Sequence, residues 1–292
     1  MNTKRGLNNI LYGILSQVIT MGISIIVPRL VLINLGSETN GLLHSISTVF
    51  TYLSLLEAGV GKATNQALYK PLASDDKNEI NRIMAATNKF YRRTGYIYAA
   101  AVLVFAAVYC LFVKTSLPAT LVFSVIVLSG ASSVLSYFVQ GKYRVLMGAE
   151  GKGYILTNIS TAATILTSVC KILLLVWGFG VVPIQGMYLF FSFLQMLLVV
   201  RYIRRDYKWL DLKVEPDYDA ISQRNYVLLH QITGMIFDNT DILLLTVMAD
   251  LKVVSVYSMY TTFYAIIKSI LNIISYSYSY ALGQIFHADK EK

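Results

Sequence analysis

Two carboxylates, Asp238 and Asp241, stand three positions apart in FDNTD, within an otherwise apolar stretch. On a helix that spacing puts both on one face. With Asn239 and Thr240 beside them they can bind a cation or share a proton. His230 lies eleven positions before Asp241, about 20° away around a helix, and joins that face. A second acid, Glu57, sits in EAGVGK with Lys62 five positions on. The two are about 140° apart on a helix and do not face each other. Glu57 therefore needs another partner, a proton or a cation, and becomes, with Asp238 and Asp241, a candidate for ion coupling.

Four cations lie in comparable apolar stretches: Arg29, Lys62, Lys171 and Lys268. Arg29 follows Pro28, which removes a backbone hydrogen bond and kinks a helix. Lys268 is preceded at helical spacing by Tyr257, Tyr260 and Tyr264. A tyrosine stripe ending in a buried amine can hold an anionic or sugar-bearing ligand; packing of the rings against neighbouring helices is the plainer reading. Arg29, Lys62, Lys171, Lys268, Tyr260 and Tyr264 are the candidate substrate-binding residues. Four positive charges against three negative favour an anionic substrate such as a phosphate or diphosphate headgroup.

Other chemistries leave no trace. The sequence has no GxxxxGK[ST] phosphate loop, no HExxH, no GxSxG and no Cys/His cluster. The two cysteines, Cys110 and Cys170, lie in apolar runs and read as small packing residues. No catalytic residue, metal or cofactor is expected, and an enzyme is not the favoured reading.

The elements that must position these charges follow from composition. Of 292 residues, 55% are hydrophobic and only 14% charged, with mean hydropathy +0.57. A soluble fold of this length could not bury so much apolar surface. The expected fold is all-α, a polytopic membrane protein of about eight transmembrane helices. The spans fall near 8–35, 40–67, 94–113, 120–146, 154–178, 183–203, 226–249 and 253–284, each long enough to cross a bilayer. Between the second and third, residues 68–93 have the pattern of a short amphipathic surface helix.

The net charge of +9 would suggest nucleic acid in a soluble protein, but its placement here argues otherwise. With the N-terminus in the cytoplasm, 19 of the 25 Lys and Arg fall in cytoplasmic segments and only Lys114 and Lys252 fall outside. That asymmetry follows the positive-inside rule. The bilayer, and not nucleic acid, is the expected partner. No cleavable leader is expected, because the first apolar run is too long. Residues 204–225 carry Pro216 and five acidic residues and form the one plausible linker. It divides the chain into an N-terminal six-helix lobe over 1–205, a cytoplasmic linker over 206–225, and the first two helices of a second lobe over 226–292.

Four local patterns resemble one family. They are NNILYGILSQVITMGISIIVPRLVLINLGSETNGLL, LLEAGVGKATNQALYKPLA, QGKYRVLMGAEGKGYI and DNTDILLLTVMADLKVVSVYSMY. The chain resembles the polysaccharide flippases (O-antigen/capsule type) of the multidrug/oligosaccharidyl-lipid/polysaccharide exporter superfamily. The resemblance implies flipping of undecaprenyl-diphosphate-linked oligosaccharide across the bacterial inner (plasma) membrane, by alternating access of two six-helix lobes. It also implies coupling to a sodium or proton gradient, and as partners a lipid-linked oligosaccharide and other polysaccharide-assembly proteins. Related flippases carry cavity arginines or lysines on helices 1, 2 and 8, the helices that hold Arg29, Lys62 and Lys268 here. Family members have twelve to fourteen spans, so this chain is expected to be truncated after eight and to need a further chain to complete the second lobe. Two other functions fit the same residues: a cation-coupled multidrug exporter of the superfamily, and a membrane enzyme acting on lipid-linked sugars.

Overall fold

The computed structural model describes residues 3–113, 115–222, 240–265 and 267–268. Among them every regular element is helical, in agreement with an all-α membrane protein. The order is α1 (Thr3–Leu53), α2 (Leu55–Ala73), α3 (Lys77–Phe112), α4 (Ala119–Leu135), a π-helical turn (Ser136–Gln140), α5 (Gly141–Ala149), α6 (Gly153–Val176) and α7 (Val181–Asp206). A 3₁₀ turn (Asp219–Ile221) follows, then helical residues 240–248 (α8) and 251–265 (α9). Five helical stretches among the described residues are long and apolar enough to cross a membrane.

The first of these stretches is really two arms. At Gly36 the backbone leaves the helical region, with φ 82° and ψ 168°, a conformation that a side chain would strain. The first arm brings Asn9 to the 150–154 segment, where its amide donates to Gly151 O and accepts from Tyr154 N, at 3.0 and 2.6 Å. The second arm begins at the other end, where Glu38 accepts from the backbone and hydroxyl of Ser116. It then runs through α2, where Asn65 approaches Gly148, back toward the Asn9 end. The two arms therefore run antiparallel.

Helix ends are locally encoded. The Asp76 side chain caps α3 by accepting from Glu79 N at 3.1 Å, the N-terminal signal expected of an acidic cap followed by glutamate. This cap corrects one expectation. Residues 68–93 contain no separate surface helix: α2 runs to Ala73, α3 starts at Lys77, and only 74–76 connect them. At the end of α5, Gly151 adopts φ 75°, and Lys152 N and Gly151 N donate to Met147 O and Gly148 O. That paired pattern closes a helix when glycine takes the left-handed position.

The main core joins α1, α2, α3, α4 and α5 around Leu42, Ile46, Leu68, Met84, Tyr91, Ile126 and Leu146. A smaller cluster of Val27, Val31, Leu175 and Ile184 ties α1 to α6 and α7. Outward faces are apolar too. Leu103, Val104 and Leu111 on α3, and Leu173 and Val176 on α6, are exposed, as expected where lipid replaces water. Residues 207–222 are not a loose tether. Tyr207 and Ile221 are buried, Asn81 on α3 bonds to Trp209 O and Asp211 N, and Asp217 N donates to Arg82 O.

Candidate functional site

A cavity of about 670 Å³ opens between both arms of α1, α4, α6 and α7. Each wall carries a stripe of neutral polar residues at helical spacing. On α7 these are Gln185, Tyr188, Ser192 and Gln195; on α6 they are Thr164, Thr167 and Ser168. Ser47, Thr51, Ser129 and Ser133 complete the lining from α1 and α4. Spacings of three and four residues hold such side chains on one face.

Hydroxyl protons here are largely committed. Thr51, Ser129, Thr167 and Ser192 each donate to the carbonyl four residues back, at 2.7–2.9 Å. A hydroxyl that donates to its own helix still has acceptor lone pairs. The walls therefore offer mainly acceptors, with amide donors from Gln185 and Gln195. Gln195 itself is held by donation to Ser160 Oγ at 3.0 Å.

Among the described residues, one charged side chain lines this cavity, Lys171, and no carboxylate does. Lys171 makes no hydrogen bond or ion pair among the described residues. His44 on the second arm of α1 is near enough to feel its charge. By helical rise Lys171 stands about 27 Å along α6 from Gly153, in the half remote from the end where Asn9 meets Gly151.

A second hollow of about 200 Å³ continues from the first, sharing Ser133, Tyr188, Ser192 and Gln195. It adds Ser132, Ser136, Gln140 and Arg144. Gln140 is only 5% exposed, and its Nε2 has no hydrogen-bond partner among the described residues. It closes the π-helical turn, and such turns shift side-chain register within a helix. Behind this hollow, Glu57 lies within electrostatic reach of Arg144 and of the Tyr91, Tyr98 and Tyr137 hydroxyls. The rings of Tyr98 and Tyr137 pack with centroids 4.8 Å apart.

The family described as polysaccharide biosynthesis protein matches residues 7–280. The chain belongs to the polysaccharide biosynthesis protein family. No curated protein and no solved structure matches it. With its long apolar helices, this family member is a multi-pass membrane protein of polysaccharide biosynthesis.

The candidate residues fall in different places in this polysaccharide biosynthesis protein. Lys171 lines the main cavity. Glu57 is half-buried beside Arg144, while Arg29 and Lys62 are exposed on α1 and α2. Tyr260 and Tyr264 are 72% and 64% exposed on α9, and Lys268 is half-buried beyond it. Asp241 is exposed and accepts from Tyr257 OH at 2.6 Å. Asp238 and His230 lie outside the described residues. Among the described residues no three acids, histidines or cysteines gather as a metal site. Sequence reasoning passed over Arg144, counted only as a loop charge, and Gln140. It also passed over the Ser, Thr and Gln stripes, whose signal was polar residues recurring at three and four in apolar helices.

Proposed function

We propose that the chain flips undecaprenyl-diphosphate-linked oligosaccharide across the bacterial cytoplasmic membrane by alternating access, for surface polysaccharide assembly. The observation that carries this reading is the polar cavity inside a polysaccharide biosynthesis protein, lined by Ser, Thr and Gln stripes with Lys171 among them. Acceptor-rich walls suit the many hydroxyl donors of a sugar. The basic end of the lobe faces the cytoplasm under the positive-inside rule. Glu57, and the Asp238/Asp241 pair, are the groups to which a sodium or proton gradient would couple. The rest of the polysaccharide-assembly machinery supplies the substrate and takes up the product.

Deleting the gene tests this. Surface glycan should fall and the lipid-linked precursor should accumulate on the cytoplasmic leaflet, with both reversed by the wild-type copy. Normal surface glycan in a strain with no second flippase would refute the proposal.

A further inference from the structure

The last turns of α7 carry a groove of about 710 Å³ that shares no described lining residue with the central cavity. Leu197, Leu198, Arg201, Tyr202, Arg204 and Arg205 are among its lining. We infer that this groove is a binding site for an anionic glycerophospholipid, its phosphate held by Arg201 and Arg204 and an acyl chain laid along the apolar face of α7. The inference is independent of what the chain transports.

The sequence sets up two opposed faces. Val199, Ile203 and Tyr207 recur every fourth residue and are buried in the main core. Phe190, Leu194, Leu197, Arg201 and Arg204 recur at alternating spacings of four and three, across the helix from that stripe. All five are exposed. Burial of the first stripe therefore holds the second outward. From Phe190 to Arg201 the track runs about 16 Å by helical rise, apolar until it meets the arginines. A phospholipid has the same order, chain and then phosphate. A soluble anion has no use for the apolar track, and a neutral lipid has none for the arginines.

Charge complementarity selects the phosphate. Arg201 and Arg204 have no ion pair among the described residues. Arg205 donates from Nε to Asp206 at 2.7 Å and lies over the Tyr202 ring at 5.8 Å. Its terminal nitrogens make no hydrogen bond among the described residues. A guanidinium offers a planar fork that matches two phosphate oxygens. Basic residues at the end of an apolar helix stand at headgroup depth, where anionic lipids present that group.

The test is native mass spectrometry of the full chain in detergent, titrated with phosphatidylglycerol and with phosphatidylethanolamine of the same acyl chains. Phosphatidylglycerol should bind about tenfold more tightly. Arg201→Gln with Arg204→Gln should erase that preference and leave phosphatidylethanolamine unchanged. Leu197→Trp obstructs the track without altering charge and should weaken phosphatidylglycerol about threefold, so the inference does not hang on one variant folding. Arg92→Gln with Arg93→Gln removes two exposed arginines of α3 and should leave the preference intact. Equal binding of the two lipids, or a preference that survives loss of Arg201 and Arg204, would overturn the inference. So would an equal fall on loss of Arg92 and Arg93, which would mean that bulk charge alone attracts the lipid. No effect of Leu197→Trp would overturn it in favour of a bare phosphate contact. Displacement of phosphatidylglycerol by farnesyl diphosphate at a lower concentration than its own would overturn it in favour of a prenyl diphosphate.

Discussion

Lys171 illustrates a residue kept against its own cost. Placing a lysine inside a membrane helix opposes insertion by roughly 2.5–3.5 kcal/mol, and no ion pair among the described residues offsets it. Lys171→Met should therefore raise the melting temperature of the purified protein while lowering surface glycan in complemented cells. A variant that loses stability and export together would mark Lys171 as structural. Glu57→Gln should leave membrane levels intact and slow export, and Arg144→Gln added to it should cost less than the two separate losses combined, because the two groups act on each other. At this scale the charges were legible in the sequence, because an ion in an apolar run stands out. The neutral lining was not: Ser192 or Thr167 alone reads as ordinary helix packing, and only four facing stripes make a cavity. Arg144 was hidden because it lies near a connection, where basic residues are ordinary.

Two close approaches decide how the helices seat. A β-carbon at Gly141 would overlap the Tyr91 ring, and one at Gly41 would overlap the Leu251 carbonyl oxygen. Overfilling of this kind costs about 1–3 kcal/mol. Gly141→Ala should lower the melting temperature and disturb the Tyr91–Tyr137–Glu57 neighbourhood. Gly13→Ala, with nothing nearby, is the control and should change little. Hydropathy located the helices, since the length of an apolar run is set by bilayer thickness. It stopped short at α3, whose polar first turns continue the helix beyond the apolar segment because Asp76 caps them and Ile80, Ile83 and Met84 are buried. The π-helical turn at Ser136–Gln140 had no signal in SYFVQ, because it arises from packing against α3 and α7 rather than from propensity.

For the molecule as a whole, contacts between connections sort by side. Asn9 meets the 150–154 segment, Tyr207 donates to Glu150, and 209–217 meets α3, all at one end. Glu38 meets Ser116 at the other, within electrostatic reach of Asp250 and Lys252. Basic residues concentrate at the first end, which is why charge counting could read the alternation. The tip of α8 and α9 also closes on the second arm of α1: Asn40 donates to Ser255, Thr246 pairs with Ser45, and Tyr52 pairs with Thr240. No sequence pattern announced this seam, because its partners lie about 200 positions apart. The proposed alternating access would require it to open. Ser45→Cys with Thr246→Cys, in a chain with Cys110 and Cys170 replaced by serine, should cross-link under mild oxidation and stop export until a reductant is added. Full export through the cross-linked protein would show that the seam stays shut throughout transport.

The seam's chemistry has its own consequence. Asn40, Ser45, Thr246 and Ser255 are all buried and polar, whereas a leucine seam would forfeit hydrophobic contact on parting. Each hydrogen bond broken here can be remade to a solvent molecule at small net cost. In a transporter of alternating access, as proposed, water is thus a reactant in the parting of this seam, and its closed–open balance would track water activity. Under the proposed function, lower water activity on that side would favour the closed seam.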